Sequence, residues 1–145
     1  MSRGDPDTAV QLCVFMETIR SYLGRWYSWG GDDPAGMDCS GLIVEALKSC
    51  GKLTEHEDLT ADGLYRLYLP RLTQKPRQGC LIFRFNKNNK AVHVGVCRDS
   101  AHYYAAEGGG SKIVTERDAR QANAFIKIRP IDKIKEPRFC DPFRE

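Results

Sequence analysis

The sequence predicts an α+β domain, with N-terminal helices packed on an antiparallel β-sheet of about five or six strands. Two features predict it. Apolar residues recur at helical spacing through the first half of the chain, whereas short β-branched or aromatic runs parted by polar turns fill the second. Helices first and strands afterwards is not the alternating order of a parallel α/β sheet. The 145 residues suit one domain, spanning 1–145, and no internal repeat or linker divides them.

The first helix is expected over Thr8 to Leu23, where Leu12, Phe15, Met16, Ile19, Tyr22 and Leu23 recur on one face and Gly24 supplies a stop. Trp26 to Pro34 contains Gly30 and Gly31 and reads as a loop. A second helix is expected from Cys39 to Ser49, with Leu42, Ile43, Ala46 and Leu47 facing the core and Gly51 as its C-terminal cap. Thr60 to Leu69 reads as a shorter helix stopped by Pro70. Strands are then expected at Cys80 to Phe85, Ala91 to Cys97, His102 to Ala106, Lys112 to Thr115 and Ala124 to Pro130. Residues 131–145 carry two prolines and mixed charge, and are expected to lie on the surface as a tail.

Composition narrows the function. A hydrophobic fraction of 41% and a charged fraction of 28% are those of a globular chain, not a disordered one. No apolar run reaches the roughly 20 residues of a membrane helix, so no membrane partner is expected. The net charge of +3 is too small to argue for nucleic acid, and Asp132 and Glu136 interrupt the basic stretch Lys127 to Arg138. The polar start, Met1 to Thr8, lacks the character of a signal peptide. The six cysteines form no CxxC pair, which argues against a structural zinc site. Cys13, Cys50, Cys80 and Cys97 sit in or beside apolar segments, as free thiols do in a reducing compartment.

Cys39 differs from these. Asp38-Cys39-Ser40-Gly41 opens a helix, where unpaired backbone N–H groups and the positive end of the dipole favour an anion. A thiol is nucleophilic as its thiolate, and the same amides can face an oxyanion. Taken alone, Cys39 reads more readily as one more buried thiol. His93 supplies the partner: it lies in the strand Ala91-Val92-His93-Val94-Gly95-Val96, sharing a face with the small residues Ala91 and Gly95. An imidazole so placed can take a proton from a thiol and return it to a leaving amine.

Four blocks carry a family resemblance: Tyr27-Ser28-Trp29-Gly30-Gly31, Asp38-Cys39-Ser40-Gly41-Leu42, Gly79-Cys80-Leu81-Ile82-Phe83 and His93-Val94-Gly95-Val96. In order and spacing they resemble the NlpC/P60 family of cell-wall peptidases, over about Leu23 to Gly110. The resemblance implies a papain-like core with Cys39 as nucleophile and His93 as general base. It implies a peptidoglycan stem peptide as substrate, often cut between D-glutamate and the following diamino acid, without a cofactor or metal. Tyr27 matches a tyrosine set beside the nucleophile; with Asp38 and Ser40 it makes up the oxyanion and substrate-binding candidates.

The sequence departs from the family at two places. Cys80 stands where an aspartate is usual. The third catalytic position falls on Ala105, which cannot orient an imidazole. Glu107, two residues on and of the same strand parity, is the candidate third member, with a backbone carbonyl or water as alternatives; His102 has the opposite parity. Gly108-Gly109-Gly110-Ser111 lacks a phosphate-loop context and reads as a turn or as low backbone beside a cleft.

The leading expectation is therefore a monomeric peptidoglycan endopeptidase, made in the cytoplasm and acting on the wall after release or export. A phage endolysin, a virion-associated enzyme or an exported toxin-like hydrolase would fit that description. The alternatives are an amidase or acyltransferase on another amide or ester, and a non-catalytic wall-binding module that keeps the scaffold.

Overall fold

The computed structural model describes residues 5–27, 32–33, 36–107 and 115–144, with the side chains of 27, 32, 33, 36 and 37 outside that description. Helix α1 runs over Pro6–Ser21. It begins ahead of the expected Thr8 because Asp5 caps it, accepting from the Asp7 N–H, and Pro6 takes the first turn, where its missing donor costs nothing. Gly24, at φ +88°, turns the chain after it. The two-residue strands β1 (Trp26–Tyr27), β2 (Asp32–Asp33) and β3 (Gly36–Met37) follow, where only a loop was expected.

Helix α2, Cys39–Ser49, has the expected bounds. It buries Leu42, Ile43, Val44, Ala46 and Leu47, and Gly51 at φ +82° ends it. Helix α3, Ala61–Tyr68, is capped by Thr60 and passes at Pro70 into a short 3-10 turn, Leu69–Arg71. Then come β4 (Leu72–Thr73), β5 (Leu81–Phe85), β6 (Ala91–Cys97), β7 (His102–Glu107), α4 (Glu116–Ala122), β8 (Phe125–Pro130) and β9 (Arg138–Cys140). The strand expected at Lys112 to Thr115 lies, but for Thr115, outside the described residues. Thr115 itself caps α4 through a reciprocal box with Asp118.

The strands form one sheet in the order β2-β3-β1-β8-β7-β6-β5-β9-β4. From β8 to β4 it is the expected antiparallel run of six strands; the short β1 to β3 extend it, with β1 and β3 parallel. The surface tail expected over 131–145 is not found. Instead β9 lies inside the sheet between β5 and β4, and Ile134, Phe139, Cys140, Asp141 and Phe143 are buried. Burial of Phe139 and Phe143 outweighs the two prolines that suggested a surface path.

Alternate residues of the same strands supply two cores. Leu81, Phe83, Val94, Val96, Tyr104 and Ala106 pack with α1, α2 and α3, while Cys80, Ile82, Cys97, Tyr103, Ala105 and Phe139 form a smaller cluster on the other face. All six cysteines are thiols outside any disulfide; Cys13 is exposed, Cys39 half-buried, and the other four are buried.

Candidate active site

The site begins at the mouth of α2. Asp38 has extended backbone and its carboxylate accepts the Gly41 N–H at 2.6 Å, while its carbonyl accepts the Leu42 N–H at 3.1 Å. Those bonds fix the turn that makes Cys39 the first helical residue. The amides of Cys39 and Ser40 are the first two of the helix, which no carbonyl of α2 can satisfy. The Ser40 hydroxyl lies 3.4 Å from the Asp38 carboxylate. Asp38 and Ser40 thus shape the helix start. The backbone of Tyr27 runs in β1, and its side chain lies outside the described residues, as do Gly108 to Ser111, expected as a turn or as low backbone beside a cleft.

His93 is set by an irregularity in the sheet. Arg84 pairs with His93 but Phe85 pairs with Ala91, so β6 carries one extra residue, the exposed Val92, and bulges. The bulge corrects the expected face-sharing: Ala91 turns into the larger core with Val94 and Val96, leaving Gly95 as the small neighbour of His93. Asp62 of α3 anchors the entry to the bulge, its carboxylate accepting from the Ala91 N–H at 3.1 Å. Neither Asp62 nor the bulge carries a periodicity signal in the sequence.

Three side chains meet here. Cys39 and Glu107 both act on the His93 imidazole, whose Nε2 lies 3.1 Å from Oε1 of Glu107. With Nε2 against Glu107, Nδ1 is the ring nitrogen left for a thiol. His93 and Glu107 are largely covered, at 12% and 19% side-chain exposure. Burial pushes the imidazole towards its neutral form, but the hydrogen bonds and charges of Cys39 and Glu107 outweigh it and raise His93 to about 9. Burial works against the Glu107 carboxylate too, yet hydrogen bonds from His93 and Tyr103 and the nearby charges of His93 and Arg129 hold it down at about 2. At neutral pH the site therefore holds an imidazolium against a carboxylate.

Glu107 reaches His93 because of strand register. Val96 pairs with Tyr104 and Cys97 with Tyr103; continuing that ladder sets Gly95 against Ala105 and His93 against Glu107. Ala105 is fully buried, and its methyl carries no group that could orient an imidazole. His102 stands at the far end of β7 with Nδ1 3.3 Å from Asp99 and takes no part. Tyr103 was not among the candidates. Its hydroxyl donates to Glu107 Oε1 at 2.6 Å, and the only sequence signal for it is its shared parity with 105 and 107.

Residues 24–129 match the NlpC/P60 family. Murein DD-endopeptidase MepH of Escherichia coli (strain K12) is 32% identical over 104 residues, which are 69% of this chain and 38% of MepH. The chain thus spans well under half the length of that relative. Among solved structures, the P60 domain of antigen MAP1204 from M. avium subspecies paratuberculosis aligns with a TM-score of 0.69 at 20% identity, covering 95% of this chain and 98% of that one. The peptidoglycan hydrolase RipB (Rv1478) of Mycobacterium tuberculosis aligns with a TM-score of 0.72 at 19% identity, covering 96% and 68%. At these identities the structures speak to the fold.

Proposed function

The chain belongs to the NlpC/P60 family, and from that membership we propose that it is a cysteine endopeptidase cutting peptide bonds in the stem peptides of peptidoglycan. One observation carries the reading: a cysteine at a helix mouth raises the basicity of an imidazole that a carboxylate holds at Nε2. A decayed binding module has no use for that carboxylate. Glu107 is placed to supply the orientation that Ala105 cannot, which favours catalysis over the non-catalytic alternative.

The chemistry follows from the protonation state. With its basicity raised to about 9, His93 holds the proton that Cys39 gives up as the sulfur attacks the scissile carbonyl. The amides of Cys39 and Ser40 at the start of α2 donate to the oxyanion. As the tetrahedral adduct collapses, the C–N bond breaks and His93 Nδ1 protonates the departing amine, leaving a thioester on Cys39. His93, now neutral, takes a proton from water; hydroxide attacks the thioester, and the carboxylic acid leaves as the sulfur and imidazolium are restored. Glu107 keeps the ring oriented and stabilises its positive form in both halves of the cycle.

Digestion of purified peptidoglycan by the wild type and Cys39→Ala tests the reading. The wild type should release peptide fragments, and Cys39→Ala should lose at least about a thousandfold in rate while unfolding at the same temperature. Cleavage surviving in Cys39→Ala would remove the nucleophile from the mechanism. Mass spectrometry of the products assigns the bond. Cross-linked dimers falling to monomers would mark a DD-endopeptidase, as MepH is named. Shortened stems would mark cleavage after D-glutamate, and whole stems freed from the glycan would mark an amidase instead.

A further inference from the structure

We propose that Tyr103 is a positioning residue of this site, locking Glu107 against His93 by lying along the sheet in the space that Gly95 and Ala105 leave open. The proposal rests on the Cys39–His93 reading above. Residues 103 and 107 are four apart on one face of β7, a span of about 13 Å between their Cα atoms. For the phenol to reach Glu107 the ring must lie flat over residue 105 and its cross-strand neighbour, residue 95. The contacts agree. A Cβ placed on Gly95 would stand 2.8 Å from Tyr103 Cδ2 and 3.1 Å from the Ala105 Cβ. Any larger side chain at either position would occupy the path the ring takes.

The lock acts on a single oxygen. Glu107 Oε1 receives the Tyr103 hydroxyl at 2.6 Å and lies 3.1 Å from His93 Nε2. A glutamate at the end of a strand has three rotatable bonds, and one contact to an imidazole would leave most of that freedom. A second donor on the same oxygen, from a ring that is 2% exposed, fixes the carboxylate in the orientation that faces His93. Burial pushes the Tyr103 phenol upward, so it remains a donor throughout the working range. Arg129, the β8 partner of Tyr103, adds positive charge near the same carboxylate.

Tyr103→Phe keeps the ring and removes only the donor. The full chain would be followed by NMR titration of the His93 ring, assigned against His56 and His102, alongside turnover of purified peptidoglycan. Loosening Glu107 should lower the His93 midpoint by about half a unit or more and cut kcat about fivefold or more, with KM within about twofold. A tyrosine that merely packs would move neither. A smaller midpoint change, a rise, or a smaller loss of kcat in an enzyme that does hydrolyse peptidoglycan overturns the proposal. The titration needs no substrate. If the wild type fails to hydrolyse peptidoglycan, the functional reading falls on that result, and the His93 midpoint alone decides for or against Tyr103.

Discussion

Glu107→Gln isolates the charge that the site places behind its imidazole. His93 rises from its ordinary 6.5 to about 9 although burial opposes the change, so the combined lift from Cys39 and Glu107 exceeds the net rise. That net of about 2.5 units corresponds to about 3.4 kcal/mol of preference for the imidazolium. Cys39 makes the larger contribution and Glu107 the next. Glutamine matches glutamate in length and can still accept from Nε2, but its charge is gone. Removing the charge while the hydrogen bond persists takes away part of the lift and should lower His93 by about one unit or more, to near 8 or below. Two measurements read this. The NMR midpoint of the His93 ring should fall by about one unit, and the alkaline limb of kcat/KM should move to lower pH by the same amount. A midpoint within about 0.3 unit of wild type would show that Glu107 does not govern the protonation of His93, and the assignment of a carboxylate–imidazole–thiol series would fail.

The same two groups make stability depend on pH. His93 titrates higher folded than unfolded, so its contribution is complete below 6.5 and is lost as pH rises through about 9. Glu107 titrates lower folded than unfolded, so its contribution is complete above 4.5 and is lost as pH falls through about 2. Calorimetry should therefore find the highest Tm between pH 4.5 and 6.5, with a fall of about 6–12 °C by pH 9.5 for a loss of about 3 kcal/mol; a flat alkaline side would contradict the His93 assignment. Gly95→Ala would put its methyl 2.7 Å from the Tyr104 carbonyl oxygen and 2.8 Å from Tyr103 Cδ2, forcing β6 and β7 apart. It should cost about 2–3 kcal/mol in denaturant unfolding and lower turnover through Tyr103; a neutral effect on both would refute the close approach.

Much of this was legible in the sequence because it is local. Asp38 before Cys39, the apolar face of Leu42, Ile43, Ala46 and Leu47, and the Ala91 to Cys97 strand each declare themselves within a dozen residues, and the observed bounds of α2 and β6 coincide with the expected ones. What escaped depends on distant partners or on elements too short to show a period. Strand β9 has three residues, sits beside two prolines, and owes its place to pairing with β5 and β4 across long stretches of chain. The bulge at Val92 appears only once β5 supplies a register. Helix α4 buries a single residue, Ala119, so no apolar face announces it; its capping box, Thr115 with Asp118, was a signal available in the sequence.

Ala105 is best understood through strand parity. Moving an acid one residue along β7 would turn it to the opposite face and remove it from the imidazole altogether, whereas moving it two residues keeps the face and changes only the reach. Continued from the Val96–Tyr104 pair, the register sets position 105 across from Gly95 and diagonal to His93, and position 107 directly across from His93. The alanine is then not a gap in the machinery, because the volume it gives up is the volume through which the Tyr103 ring passes on its way to the Glu107 carboxylate. Small residues at 95 and 105, an aromatic donor at 103 and a carboxylate at 107 form one arrangement, and each is explained by the other three. Restoring a polar side chain at 105 should accordingly weaken the site, since it would displace the ring before it could reach the imidazole.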